Sequence, residues 1–111
     1  VYVAQQPPAH INILSASDFG YLVLCLPNYG PDSQVIYSMA PFNRKMKKNL
    51  QNFREQDYIL AIGDPIMIGI SFEAIHDVTN GKFNVLKWNN KEKRYFPLDQ
   101  NFYNKGENNG G

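Results

Sequence analysis

The stretch YILAIGDPIMIGISFEAIHDVTNG, Tyr58 to Gly81, decides the fold class. It opens as an apolar run of strand length, breaks at Gly63-Asp64-Pro65, and continues as a long apolar segment ending at Asn80-Gly81. Asp64 stands where a helix N-cap belongs. Pro65 occupies the first helical position, where a missing N–H loses no bond, and Asn80-Gly81 supplies a left-handed exit. Between these marks Gly69, Glu73, His76, Asp77 and Asn80 recur at helical spacing as a narrow polar stripe. Ile66, Met67, Ile68, Ile70, Phe72, Ile75 and Val78 cover the rest of the surface. So wide an apolar arc must lie against a sheet or a partner, and a strand running straight into such a helix is the unit of α/β domains.

Working outward, YLVLCLP (Tyr21 to Pro27) is apolar without alternation, which predicts a strand covered on both faces and central in the sheet. NYGPDSQ, from Asn28, is a loop by its Asn, Gly-Pro and Asp-Ser content, and VIYSM after it fits either a strand or an irregular crossover. INILSAS, ahead of Tyr21, reads as a short strand. From Asn43 to about Gln56 the residues Met46, Leu50 and Phe53 draw one apolar stripe on a helix. Arg44, Lys45, Lys47 and Lys48 would load its first turns with charge that opposes the helix dipole. On the other side KFNVLKW, NNKEK and RYFPL form a β-hairpin with a charged loop.

These pieces predict an α/β domain: a small sheet of about four strands, partly parallel, with two helices and a C-terminal β-hairpin. The strands are expected at 21–26, 58–62, 83–88 and 94–98. Residues 1–12, with Gln5-Gln6-Pro7-Pro8, read as an extended arm, 13–100 as the single domain, and 101–111 as a flexible Asn- and Gly-rich tail.

A chain of 111 residues, 43% hydrophobic, can bury one modest core and no second one. Eleven Lys and Arg against ten Asp and Glu leave a net charge of +1, so any affinity for a polyanion must be local. Cys25 is the only cysteine and lies inside an apolar run, which reads as a small buried hydrophobe. No apolar segment reaches the roughly 20 residues of a membrane span, so a soluble protein with no membrane partner is expected.

Candidate chemistry lies where ligands bind in open parallel sheets, beyond the carboxyl ends of the strands. There Asn28, Tyr29, Asp32 and Ser33 would face Gly63 and Asp64 across a ligand crevice. No Gly-rich phosphate loop accompanies them. Asp32 and Asp64 as a pair would suit Mg²⁺ and a phosphate- or nucleotide-processing enzyme. As separate residues they are a turn former and a helix cap, types that favour those positions. Glu73, His76 and Asp77 lack the spacing of a zinc helix and read as a solvated face. The second set is basic and aromatic: Lys87, Lys91, Lys93 and Arg94 stand beside Trp88, Tyr95 and Phe96, and the first helix adds Arg44, Lys45, Lys47 and Lys48. Cations that neutralise phosphates and rings that stack on bases are the parts of a nucleic-acid surface. A solvated hairpin produces the same string. Alternation sends Trp88 and Leu86 to one face and Lys87 to the other.

The succession DYILAIGDPIMIGISFEA followed by NGKFNVLKWNNKEKRYFPL resembles small accessory proteins encoded by tailed bacteriophages, over Tyr21 to Leu98. The resemblance implies a viral accessory protein that acts in the host cytoplasm or as part of the virion. Together these readings lead to a non-enzymatic accessory or assembly protein without a cofactor. It would bind a protein partner, a copy of itself or a nucleic acid through the basic helix and hairpin. The Mg²⁺ enzyme is the alternative.

Overall fold

The computed structural model describes residues 1–27 and 38–103. Its strands are β1 (Tyr2–Val3), β2 (Val23–Leu24), β3 (Tyr58–Leu60), β4 (Lys82–Asn89) and β5 (Arg94–Asn101). Its helices are a 3₁₀ helix (Leu14–Phe19), α1 (Ala40–Asn49) and α2 (Pro65–Thr79). The five strands form one sheet in the order β2-β1-β3-β4-β5. The first four run parallel and β5 pairs antiparallel with β4. The expected α/β class, partly parallel sheet and C-terminal hairpin are therefore present.

Two cores sandwich the sheet. On one face Leu26, Met46, Leu50, Phe53, Ile59, Met67, Ile75 and Phe83 pack together between α1, α2 and the strands. On the other, Val3, Ala16, Leu60, Leu86 and Tyr95 form a smaller cluster under the 3₁₀ helix. Right-handed crossovers that move in opposite directions along a sheet lie on opposite faces. The β1-to-β2 connection carries the 3₁₀ helix and the later ones carry α1 and α2, in keeping with that rule.

Four expectations are corrected. The start of the chain is no arm, because Tyr2–Val3 lies inside the sheet and pairs with β2 on one side and β3 on the other. YLVLCLP is not a central strand. Its strand is Val23–Leu24, at the sheet edge, and both side chains are exposed (44% and 47%), while the burial falls to Cys25 and Leu26 beyond it. INILSAS is a 3₁₀ turn and no strand, held by local bonds that compete with a ladder: Asn12 Oδ1 accepts from the Leu14 N–H at 2.8 Å, and Ser17 Oγ donates to the Leu14 carbonyl at 2.6 Å. Finally α1 begins at Ala40, with the Ser38 hydroxyl accepting from its first N–H, and stops at Asn49. Lys47 and Lys48 thus sit in its last turn, where positive charge complements the helix dipole, and the expected opposition is removed.

Candidate functional site

At the carboxyl edge, α2 begins as its sequence requires. Asp64 is extended, its carboxylate accepts from the Ile66 N–H at 2.8 Å, and Pro65 follows as the first helical residue. Asn80 closes the helix in the left-handed region at φ 56°. The turn before Asp64 rests on Gln5, which no sequence pattern singled out. Its side chain is buried; Oε1 accepts from the Asp64 N–H at 2.7 Å, and Nε2 reaches the Pro27 carbonyl at 3.4 Å. Gly63 is needed there, because φ is +118° and a Cβ would come within 2.5 Å of the Gln5 Cβ. One amide thus ties together the ends of β1, β2 and β3. The opposite wall of the expected crevice, Asn28, Tyr29, Asp32 and Ser33, lies outside the described residues, and so does any Asp32 to Asp64 distance.

A recess opens at the same edge, where β3 stops before β4 does. Their register ends at Leu60 opposite Leu86, whereas β4 continues to Asn89. The last bond between them, from the Ala61 N–H to the Leu86 carbonyl, is long at 3.4 Å, and the Ile62 N–H then turns back to the Leu60 carbonyl. The gap is a recess of about 430 Å³, walled mainly by Ile11, Leu60, Ile62, Trp88 and Tyr95. Trp88 is 41% exposed and meets Tyr95, its cross-strand neighbour, edge to face at 5.0 Å between ring centres. Burial raises the Tyr95 hydroxyl pKa above its ordinary value. The volume is in the range of small-molecule and side-chain pockets.

The cations are distributed away from this recess. Lys87 and Arg94 alternate with Trp88 and Tyr95 along the paired strands and so take the opposite face of the sheet. Lys91 and Lys93 stand on the hairpin loop, where Lys93 Nζ donates to Asn90 Oδ1 and Arg94 pairs with Glu92 at 2.6 Å, both at the surface. On α1, Lys47 and Asn43 face Glu73, His76 and Asp77 of α2 across a cleft of about 400 Å³. The polar stripe of α2 therefore looks at basic α1. His76 is also flanked by the rings of Phe102 and Tyr103, each 5.4 Å away. Among the described residues no three His, Cys, Asp or Glu side chains gather as a metal site. Cys25 is buried as expected, and desolvation pushes its thiol up to about 12.

The description "Phage Pam3 gp32-like protein" names a family whose pattern matches residues 1–102. The chain belongs to this phage protein family. The match starts at β1 and runs through the whole hairpin, so the strand at the start of the chain is part of the family's pattern. No curated protein and no solved structure matches the chain. The phage origin implied by the resemblance of the helix and hairpin segments is thus established at the level of the family. In this phage protein no helix among the described residues is long and apolar enough to cross a membrane. Of its sequence-derived site residues, Gly63 and Asp64 meet at one turn with Gln5, Lys91 and Lys93 stand on the hairpin loop, and Lys87 and Arg94 lie on the strands beside it. The recess was missed because it depends on where β3 ends relative to β4. Its one legible signal is Trp88, a large ring in a strand otherwise flanked by Lys and Asn.

Proposed function

We propose that this phage protein is a non-enzymatic accessory or assembly protein that acts by binding another protein, in the infected host cell or in the virion. One observation carries this reading: the hairpin presents an apolar recess around an exposed Trp88 while its strand cations, Lys87 and Arg94, lie on the opposite face. A nucleic-acid surface needs rings and cations to serve the same strand, bases on the rings and phosphates on the cations. Sorting them to opposite faces suits a protein contact better, with an apolar centre and a charged rim. Lys87, Lys91, Lys93 and Arg94 of the hairpin and Arg44, Lys45, Lys47 and Lys48 of α1 lie outside the recess and would contact acidic groups of the partner around that centre.

The test is a pair of titrations with the purified full chain. Crosslinking to the proteins of disrupted phage particles should give a defined adduct that Trp88→Ala reduces about tenfold, the scale of a central interface ring. Oligo-dT binding should be weak. Tight oligo-dT binding with a steep salt slope, abolished by charge reversal of Lys45, Lys47 and Lys48, would replace the protein reading with the nucleic-acid one.

A further inference from the structure

We infer that the notch where β3 leaves β4 binds an extended peptide segment of a partner protein, one bulky apolar residue flanked by acidic residues, which adds to the sheet alongside Trp88. The inference rests on the protein-binding reading and names the partner's chemistry.

The backbone sets the geometry. The Phe102 N–H bonds to the Gly81 carbonyl at 2.9 Å, and the β4–β5 register is unbroken from Lys82 opposite Asn101 to Asn89 opposite Arg94. Antiparallel pairs alternate between bonded and unbonded, so odd-numbered β4 residues bond to β5 and even-numbered ones turn their N–H and C=O toward β3. Leu86 does so and receives the Ala61 N–H. Trp88 is the next in that series, but β3 has already turned away, and among the described residues no backbone bond reaches the Trp88 N–H or carbonyl from that side. One residue's donor and acceptor, pointing together into a notch, is the template to which an added strand pairs.

Side-chain direction supplies the chemistry. A residue opposite Trp88 in the added strand points to the same face as Trp88, into the mainly apolar recess walled by Ile11, Leu60, Ile62 and Tyr95, with Asn12 also on its wall. That residue should be bulky and apolar. Its two neighbours point to the other face, beside exposed Lys87, and the strand leaves toward the loop that carries Lys91 and Lys93. Complementary charge there is acidic. The sheet's outer edges are poorer templates: β2 is two residues long, and Pro97 removes an outward N–H from the middle of β5.

The experiment pans a random-peptide display library on the immobilised full chain. Recovered peptides are then synthesised and titrated, reading the fluorescence of Trp88, the only tryptophan. The expected peptides share one bulky apolar residue flanked by Asp or Glu and shift the Trp88 emission. Lys87→Glu and Trp88→Ala should each weaken them about tenfold by calorimetry. The added strand runs antiparallel to β4, so a peptide N-methylated at the apolar residue loses the N–H that would meet the Trp88 carbonyl and should weaken by a similar factor on unaltered protein. That arm stays decisive even if Trp88→Ala fails to fold. Failure to recover any peptide, peptides without the acidic and apolar pattern, or indifference to N-methylation overturns the inference. A phage protein that Trp88→Ala loses but Lys87→Glu binds as well as wild type also overturns it while leaving the protein-binding reading intact. Oligo-dT that displaces the peptides and crosslinks in place of any protein would sink both.

Discussion

Asp64 illustrates how much one side chain can be asked to do. Its carboxylate accepts the Ile66 N–H and its own N–H is held by Gln5, so both polar groups serve the turn into α2. Asp64→Ala should lower stability by about 1 kcal/mol in urea denaturation, whereas Asp64→Asn, which keeps the accepting oxygen, should stay within a few tenths. Equal losses in both variants would assign the carboxylate's charge, and not its cap bond, as the stabilising feature. Cys25 supplies a pH prediction. In the folded chain its thiol is pushed from an ordinary 9.0 to about 12 by burial, so above pH 9 the unfolded chain ionises and the native one does not. The associated stability is complete below about pH 9 and declines by about 1.4 kcal/mol per pH unit as pH rises toward 12. Between pH 8 and 10, the unfolding free energy of wild type from urea titration should therefore fall further than that of Cys25→Ala, by about 1.4 kcal/mol.

At the scale of elements, the hairpin is the long feature of the sheet and β5 is its exposed edge. Pro97 lies opposite Leu86, an unbonded pair, so its ring nitrogen faces outward and interrupts the row of donors a second chain would use. Pro97→Thr restores that N–H and should promote edge-to-edge dimers or aggregates, read by light scattering during size-exclusion chromatography. A strictly monomeric variant would show that something else protects the edge. The first helix teaches a related lesson. Its stripe of Met46, Leu50 and Phe53 was legible, but Phe53 is buried beyond the helix end, and its start at Ala40 was not legible because no strong side-chain cap announces it. The earlier start and, above all, the stop at Asn49 changed Lys47 and Lys48 from unfavourable to favourable charges, so their presence needs no partner to explain it.

For the whole molecule, the decisive element is one of the two shortest. β1 is two residues, yet among the described residues it is the only strand beside β2 and joins it to β3, and Gln5 just beyond it stitches the carboxyl edge. Deleting Val1–Gln6 should abolish the cooperative thermal transition seen by circular dichroism. A truncated chain that melts like wild type would mean the start of the chain is dispensable to the domain after all. Helix α2, its two caps, the hairpin with its alternating faces and the burial of Cys25 follow from the sequence by itself, because each depends on periodicity or on hydrogen bonds within a few residues. The place of β1, the demotion of YLVLCLP to an edge, the clasp at Gln5 and the notch beside Trp88 were decided only by the tertiary structure. They arise where segments distant in the chain meet, and a two-residue strand or a strand that stops early leaves no local pattern to read.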